Sequence, residues 1–341
     1  MKYKPLGRTG LYVSELTLGA MTFASEDGPF AAILGGTGHK GAQKMIDISL
    51  EAGINIIDTS NMYSFGESEE IIGKALGDRR KDVVVATKVY FPLGTKPNDL
   101  GVSRLAIMRE VENSLKRLKT DYIDLYQVHH YDKTTPLEET LCAMDDLVRQ
   151  GKVRYIGLSN FSAWQIAKAD GISKMSGLER FISVQAYYSL IGRELEREIL
   201  PAAKDLGLGT MIWSPLAGGF LSGKYTRDNQ SEGRRKDFDF PPVNLEQGYE
   251  IIDTLKDIAQ AHDASVAQIA LAWLRYKDGV TTTIIGATTE EQLKSNIAST
   301  EIDLTPEEVD KLDQVSALKP EYPHWMFPYE RGEDMISRFS K

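Results

Sequence analysis

Four polar side chains with complementary chemistry end short apolar runs of the sequence or follow them closely. Asp58, Lys88 and His129 each end such a run, and Tyr63 follows Asp58 five residues later. A lysine that ends a nearly all-apolar run is costly to bury unless an opposite charge pairs with it. Asp58 is a suitable partner, so we expect these four residues to meet in one site. Their combined chemistry suits the transfer of a proton to a carbonyl oxygen.

Tyr63 is the candidate proton donor of this set. An unperturbed tyrosine has a pKa of about 10 and is a poor acid at neutral pH. A neighbouring ammonium group favours the phenolate, so Lys88, held by Asp58, is expected to lower the pKa of Tyr63. Tyr63 would then protonate a carbonyl oxygen as hydride reaches the carbon, while His129 orients the carbonyl by hydrogen bonding. General acid catalysis of this kind typically contributes ~10² to 10⁴-fold.

Each of these residues also has a purely structural interpretation. In that interpretation Asp58 and Lys88 are only a buried ion pair, Tyr63 is a loop aromatic, and His129 is a core histidine with satisfied hydrogen bonds. For any one residue taken alone, the structural interpretation is the better one. Because all four lie at or just after three successive strand ends, a functional site is favoured over the structural interpretation.

The elements that must position these residues form a repeating pattern, because short apolar runs alternate with amphipathic stretches eight times. The predicted strands are Leu16–Gly19, Ile54–Asp58, Val83–Lys88, Tyr122–His129, Val153–Leu158, Ile182–Gln185, Gly209–Ser214 and Thr281–Ile285. The predicted helices are Ala42–Ala52, Ser68–Gly77, Val102–Leu118, Leu137–Arg149, Ala163–Ser173, Leu195–Leu206, Val266–Tyr276 and Thr289–Ile297. This alternation predicts an α/β fold, a closed parallel (β/α)8 TIM barrel, as a single domain over residues 1–341.

Further segments extend the predicted barrel. An N-terminal β-hairpin built from Tyr3–Leu6 and Leu11–Ser14 precedes it and is expected to cap its bottom, and a ninth helix, Glu307–Val315, and a C-terminal tail over 319–341 follow it. Long loops follow predicted strands one, three and seven, so they should lie on the C-terminal face, where barrel enzymes keep their sites. These loops are Thr22–Lys40, Tyr90–Gly101 and Gly218–Gln247. Capping boxes are predicted at three helix starts, Ser162–Gln165, Ser265–Gln268 and Thr305–Glu308.

Composition argues against several classes of function. The formal net charge is -9, and no run of Lys and Arg forms a basic patch, so nucleic acid is not an expected partner. No stretch approaches the ~18 apolar residues of a membrane span, and the N-terminus has no apolar signal core, so we expect a cytoplasmic protein that makes no use of a membrane. The five histidines are scattered, so no metal site is expected. The single cysteine, Cys142, is predicted to be a small core residue.

Several of these segments, taken in order, resemble those of the aldo-keto reductase superfamily. The matching segments are 58–63, 66–69, 86–88, 111–118, 121–129, 156–161, 184–185 and 213–216. The resemblance spans roughly residues 3 to 317. It is closest to the bacterial and fungal members that include aryl-alcohol dehydrogenases and to the potassium-channel β-subunit group. The resemblance implies that Asp58, Tyr63, Lys88 and His129 are the catalytic tetrad, with Tyr63 as the proton donor.

The same resemblance implies a nicotinamide cofactor and the residues that bind it. Ser159, Asn160 and Gln185 would hold the nicotinamide carboxamide and Trp213 would stack on the ring. The cofactor-binding residues implied for the pyrophosphate and adenosine ends are Ser214, Leu216, Gly218, Lys224, Gly286, Thr288, Gln292 and Asn296. Amide side chains suit an amide ligand because they offer both donors and acceptors. The alternative for Asn160 and Gln185 is a polar plug among the barrel layers, and the alternative for Gln292 is a capping box with Thr289.

The segment Gly286-Ala287-Thr288 leaves the choice of cofactor open. The family pattern places the 2′-phosphate of NADP here, and many members have Lys or Arg just after the strand, whereas this chain has neither. Thr288 and backbone amides could still bind a phosphate, since barrels often bind phosphate at a helix N-terminus near strands seven and eight. NADP(H) is therefore the expected cofactor, and NAD(H) is not excluded.

Two hypotheses about function follow, and a third is disfavoured. The first is a reductase that transfers hydride from NADPH to an aldehyde or ketone, reversibly. The second is a cofactor-binding regulatory subunit resembling channel β-subunits, whose members keep the same residues. A metal-dependent barrel hydrolase is disfavoured because the histidines do not cluster. Aromatic residues in the loops favour bulky or aromatic carbonyl substrates. Each of these residues could equally pack within its own loop. They are Phe23, Phe30, Tyr90, Trp325, Phe327 and Tyr329. The oligomeric state is not readable from the sequence.

Overall fold

A computed structural model describes residues 1–26, 36–227, 235 and 239–329, with the backbone alone for 327–329. Phe30, the side chains of Phe327 and Tyr329, and the end of the tail lie outside the described residues. The predicted loop Gly218–Gln247 is described only in part.

Eight parallel strands close into a barrel, which confirms the predicted fold. After a short hairpin of β1 (Tyr3–Pro5) and β2 (Tyr12–Ser14), the barrel strands are β3 (Leu16–Gly19), β4 (Ile56–Asp58), β5 (Val84–Val89), β6 (Ile123–Val128), β7 (Val153–Ser159), β8 (Ser183–Tyr187), β9 (Gly209–Trp213) and β10 (Thr282–Ile285). Each strand pairs with the next along the chain, and β10 returns to β3. Strand ends differ from the predicted ones by a few residues, as ends usually do.

Helices surround the barrel and cover its outer, apolar face. They are α1 (Gly38–Glu51), α2 (Glu67–Leu76), α3 (Arg104–Leu118), α4 (Leu137–Arg149), α5 (Ala163–Ser176), α6 (Ile199–Leu206), α7 (Leu245–Ala261), α8 (Val266–Leu274), α9 (Glu290–Ala298) and α10 (Pro306–Val315). The sequence analysis missed α7, although its buried residues recur at helical spacing: Tyr249, Ile251, Ile252, Leu255, Ile258 and Ala259. The three predicted capping boxes are all present. The prediction for Cys142 is wrong, because it is exposed on α4.

The N-terminal hairpin closes the bottom of the barrel, as predicted. Its residues Leu6 and Val13 are fully buried against Ile56, Ala86 and Leu125 from the barrel interior, in a cluster separate from the main core. The turn approaches the barrel so closely that a Cβ on Gly7 would lie 2.5 Å from a backbone carbonyl oxygen. With the bottom sealed, the C-terminal ends of the strands are the open end of the barrel.

Leu6→Ala is expected to lower the free energy of unfolding by about 2–5 kcal/mol, because it leaves a cavity in the plug at the barrel bottom. The measurement is chemical denaturation followed by far-UV circular dichroism. Leu105→Ala is the matched control, because Leu105 is 57% exposed on α3 and should change stability little. Equal losses in the two variants would contradict the role assigned to the hairpin.

Candidate active site

The strand ends bring Asp58, Lys88, His129 and Tyr63 together at the open end of the barrel, as the sequence predicted. Asp58 is the last residue of β4, Lys88 lies in β5, and His129 directly follows β6. Tyr63 begins a 3₁₀ turn over Tyr63–Gly66 that leads from β4 to α2. Because β4, β5 and β6 are neighbours in the barrel, their ends present these side chains to one another.

A buried ion pair lies at the centre of the group. The Lys88 ammonium donates to Asp58 Oδ2 at 2.6 Å and to the Thr59 carbonyl oxygen at 2.7 Å, and both charged side chains are almost inaccessible to solvent. Burial lowers the pKa of Lys88, but Asp58 and Tyr63 raise it by more, so the net direction is upward. Lys88 therefore carries its charge at neutral pH.

The Tyr63 hydroxyl lies 3.3 Å from the Lys88 ammonium nitrogen, which also lies 4.9 Å from the centre of the Tyr63 ring. Loss of solvent contact raises the pKa of Tyr63, and Lys88 lowers it by less. Lys88 therefore acts in the predicted direction, but the predicted net lowering of the Tyr63 pKa is wrong, because desolvation of the phenolate and the charge of Asp58 together outweigh it. Tyr63 keeps its proton at neutral pH and can donate it only to an acceptor that develops negative charge.

His129 is a neutral ring near the ring of Tyr63. Its Nδ1 is 3.1 Å from Ser60 Oγ, and burial, with the nearby charge of Lys88, puts its pKa well below the usual value. The ring centre is 6.1 Å from that of Tyr63 and 5.0 Å from that of Phe91, edge to face in both cases. Phe91, which sequence reasoning missed, therefore fixes the ring. The neighbouring His130 is exposed, as suits the less favoured of the two histidines.

The backbone after Tyr63 is strained. Ser64 and Phe65 have φ angles of 50° and 54°, in a region that residues other than glycine rarely adopt. Thr59 and Ser68 anchor the turn, because their hydroxyls lie 2.8 Å apart and Ser68 also donates to the Ala20 carbonyl oxygen. Strain of this kind persists where the surrounding structure enforces it, and it often marks functional sites.

Two buried amides occupy the second oxygen of Asp58. Gln185 Nε2 donates to Oδ1 at 2.7 Å and Gln127 Nε2 donates at 3.2 Å. Gln185 is thus part of a polar layer inside the barrel, and its amide oxygen is the atom left to face a ligand. The sequence analysis used Gln127 only as part of a matching segment and missed its contact with Asp58. The available signal was a buried amide residue three positions after Asp124 in β6, next to two buried apolar-rich positions of the strand.

The residues predicted to hold a nicotinamide lie around the same opening. Ser159 Oγ is buried and has no hydrogen-bond partner among the described residues. Asn160 has a φ of 58°, and its side chain donates to the His129 carbonyl oxygen and accepts from Trp213 Nε1. Trp213 is half-buried and stacks on Phe240, with ring centres 5.7 Å apart.

The glycine-containing loop after β9 is held by hydrogen bonds. Ser214 Oγ accepts from the backbone N–H of Gly218 at 2.9 Å, Leu216 is half-buried and Lys224 is exposed. The sequence analysis missed Arg235, whose buried guanidinium donates to the carbonyl oxygens of Ala217 and Pro241. A Cβ built on Gly219 would meet no atom of the described residues within 4 Å.

The segment after β10 is closed by side-chain amides. Gln292 Oε1 accepts from the backbone N–H and the hydroxyl of Thr288, both at 2.9 Å, and Asn296 donates to the Gly286 carbonyl oxygen. Thr289 caps α9 and accepts from the Gln292 backbone N–H. Glu290 and Glu291 lie in the first turn of α9, and Lys44 and Lys294 both pair with Glu290.

Of the loop aromatics predicted to line a pocket, Phe23 packs in the main core with no exposed surface, so that prediction is wrong. Tyr90 is half-buried and contacts Phe91 and His130 at ring distances of 5.1 and 5.4 Å. Trp325 is exposed.

Within the part of the chain that the structure describes, no three His, Cys, Asp or Glu residues gather to hold a metal. No helix in that part is long and apolar enough to span a bilayer.

Comparisons with known proteins match nearly the whole chain. A family model described as the aldo/keto reductase family matches residues 15–317. The "Uncharacterized oxidoreductase YrpG" of Bacillus subtilis is 41% identical, over 92% of this chain and 96% of its own length. A "Probable voltage-gated potassium channel subunit beta" of Oryza sativa is 39% identical, over 94% and 98%. The "Versiconal hemiacetal acetate reductase" of Aspergillus parasiticus is 35% identical, over 97% and 100%.

Lys88→Met is expected to lower the free energy of unfolding by about 3–5 kcal/mol, because it leaves the Asp58 carboxylate buried without its counter-charge. The double variant Asp58→Asn/Lys88→Met should regain much of that loss, because no unpaired charge remains while the two glutamines keep an acceptor. Denaturant unfolding of both variants beside wild type measures the difference. A double variant no more stable than Lys88→Met would contradict this account of the pair.

Proposed function

Since the chain belongs to the aldo/keto reductase family, we propose that this oxidoreductase reduces aldehydes and ketones to alcohols, reversibly, with NADP(H) as its hydride donor and acceptor. The observation that carries the proposal is the Tyr63 hydroxyl 3.3 Å from the Lys88 ammonium group, which is itself paired with Asp58 at 2.6 Å. Family membership supports an oxidoreductase acting on carbonyls. The assignment of individual residues rests on the geometry.

In the proposed reaction, Tyr63 hydrogen-bonds the substrate oxygen and gives it a proton as negative charge develops there. Because the pKa of Tyr63 is raised, the phenol is protonated at neutral pH and available as a donor. Lys88 stabilises the phenolate that remains, and Asp58 keeps Lys88 charged and oriented. Neutral His129 offers a second hydrogen bond to the same oxygen and does not compete as an acid, since its pKa is well below neutral. General acid catalysis of this kind is worth ~10² to 10⁴-fold.

The residues around the opening fit a nicotinamide cofactor. The orphaned hydroxyl of Ser159 and the Gln185 amide oxygen, which has no hydrogen-bond partner among the described residues, offer hydrogen bonds to a carboxamide. The half-buried Trp213, whose ring contacts those of Tyr187 and Phe240, is the proposed stacking residue. Space for a ligand beside the backbone at Gly219 and Gly286 is supported by the absence of any atom of the described residues within 4 Å of a Cβ built there. The proposed binding residues are Ser159, Asn160, Gln185, Trp213, Ser214, Leu216, Gly218, Lys224, Gly286, Thr288, Gln292 and Asn296. When bound, the cofactor would supply or accept the hydride.

The proposed substrates are bulky or aromatic carbonyl compounds. Phe91 and Tyr90 follow β5 directly, are half-buried and contact the two histidines after β6. They give the opening above Tyr63 an aromatic side. We also propose that residues 1–341 form one domain, because the barrel is closed by its first and last strands.

A second candidate function is a cofactor-binding regulatory subunit. The 39% identity to a rice protein named as a probable channel β-subunit favours it. The two candidates differ in turnover, because only the reductase must convert substrate at a rate that depends on the Tyr63 hydroxyl.

Tyr63→Phe is expected to lower turnover of an aromatic aldehyde by ~10² to 10⁴-fold, because it removes only the proton donor. The measurement is loss of reduced-nicotinamide absorbance, with NADPH and with NADH. Tyr12→Phe is the matched control, because Tyr12 is exposed at the bottom of the barrel and should not affect turnover. Cofactor binding without wild-type turnover would favour the regulatory subunit, and unchanged turnover in Tyr63→Phe would remove Tyr63 as the donor.

Thr288→Val is expected to raise the Kd of NADPH about 5- to 10-fold and to leave that of NADH unchanged, because the Thr288 hydroxyl would turn from Gln292 Oε1 and donate to the 2′-phosphate. Quenching of tryptophan fluorescence measures both constants, and Thr254→Val on the surface of α7 is the control. An equal change for NADPH and NADH would show that the phosphate does not bind at Thr288. Tighter binding of NADH than NADPH by wild type would replace NADP(H) by NAD(H) in the proposal.

A further inference from the structure

One buried residue beside the proposed catalytic group has no role in the reaction as described above. Gln127 is completely buried in the middle of the barrel, on β6, where it is the register partner of Lys88 on β5. We propose that Gln127 is a positioning residue that fixes both the Asp58 carboxylate and the Gln185 amide. This inference rests on the proposed function, since it assigns Gln127 a part in that same reaction.

Gln127 contacts both the proposed catalytic carboxylate, Asp58, and the proposed cofactor-binding amide, Gln185. Its Nε2 lies 3.2 Å from Asp58 Oδ1, and its Oε1 lies 3.4 Å from Gln185 Nε2, which itself donates to Asp58 Oδ1 at 2.7 Å. The three side chains thus form a triangle in which each donor has an acceptor. A buried amide left without partners costs free energy, so this arrangement is strongly preferred over its flipped alternatives.

In this triangle the two oxygens of the Asp58 carboxylate accept hydrogen bonds from different donors. Oδ1 accepts from the two amides, and Oδ2 accepts from Lys88 alone. With Oδ1 fixed on one side, Oδ2 must point towards β5 and the ammonium group. Because the same ammonium contacts the Tyr63 hydroxyl, the position of the proposed donor depends on the orientation of the Asp58 carboxylate.

The triangle also sets which end of Gln185 faces the cofactor. The Gln185 nitrogen points at Asp58 and Gln127, so its oxygen is presented to a carboxamide N–H. A flipped Gln185 would place its oxygen against the Asp58 carboxylate and against Gln127 Oε1, both of which repel it. Gln127 therefore links the orientation of the proposed cofactor-binding amide to that of the proposed catalytic carboxylate.

The neighbouring strand leaves room for this side chain. Gly157 on β7 is the register partner of Gln127, and a Cβ built on it would lie 3.2 Å from Gln127 Cγ and 2.5 Å from Ser183 Oγ. Any side chain at position 157 would therefore displace its neighbours. Gly157 therefore leaves space beside the Gln127 side chain that a Cβ would reduce.

The test compares Gln127→Leu and Gln127→Glu with wild type. Ser183→Ala is the matched control, because Ser183 lies beside Gln127 in the barrel interior but has no hydrogen bond to its hydroxyl among the described residues. Measured for each variant are kcat with an aromatic aldehyde from acid to alkaline pH, the Kd of the oxidised cofactor by fluorescence quenching, and Tm. Tm separates a loss of folding from a loss of positioning.

Gln127→Leu should lower kcat and raise the cofactor Kd, each about 10-fold, because a charged acceptor loses a donor and Gln185 loses its orienting partner. Gln127→Glu should keep more activity at low pH, where the new carboxyl group is neutral and can donate to Asp58, and lose it as pH rises. The charged groups beside this position are Asp58 from β4 and Lys88 from β5, so an ionised carboxyl would repel Asp58 and compete for Lys88. If Gln127 only fills space, Gln127→Leu, which has a similar volume and no charge, would keep the wild-type kcat, pH profile and cofactor Kd.

The inference is overturned if Gln127→Leu and Gln127→Glu keep the wild-type kcat, pH profile and cofactor Kd while Tyr63→Phe still abolishes turnover. It is also overturned if Ser183→Ala produces the same changes, since any disturbance of the barrel interior would then suffice. Absence of turnover in wild type would instead overturn the proposed function. The cofactor Kd and Tm still report on Gln127 in that case, and an unchanged Kd would reject its link to Gln185.

Discussion

The buried pair of Lys88 and Asp58 is the constraint on which the rest of the site depends. Two charges removed from water are costly, and their attraction offsets that cost only when the remaining donors and acceptors are also satisfied. Here the Thr59 carbonyl oxygen takes a second ammonium proton, and Gln127 and Gln185 take the second carboxylate oxygen. The pair is therefore part of a hydrogen-bonded polar layer inside the barrel.

The barrel brings the residues of this polar layer together at one end and closes the other end. Strand neighbours of fixed register bring residues distant in sequence to one end, and the N-terminal hairpin seals the opposite end with Leu6 and Val13. The turn after β4, held by Thr59 and Ser68, presents the Tyr63 hydroxyl group to the ammonium group. Relatives named as a reductase and as a channel subunit both match this chain over nearly its whole length, so the fold alone does not decide the function.

Sequence patterns predicted the closed barrel and the meeting of the four residues, because both follow from strand ends in a repeating order. They did not predict the role of Gln127, because a single polar residue in a strand gives no indication of which neighbour it faces. The sequence pattern also could not predict the net pKa shift of Tyr63, because that shift depends on how deeply the side chain is buried and not on the presence of Lys88 alone. Phe23 and Cys142 were misjudged for a related reason, because a residue's type does not say which face of its element is covered.

The most direct measurement is a crystal structure of the chain with oxidised cofactor and an unreactive analogue of an aromatic carbonyl compound. The account predicts that the analogue's oxygen lies within hydrogen-bonding distance of the Tyr63 hydroxyl, with the carboxamide on Ser159 and the Gln185 oxygen. Lys88 should remain between Asp58 and Tyr63. An analogue oxygen bound away from Tyr63, or a Lys88 ammonium that has left Asp58, would contradict the claim that this ion pair organises the proton donor.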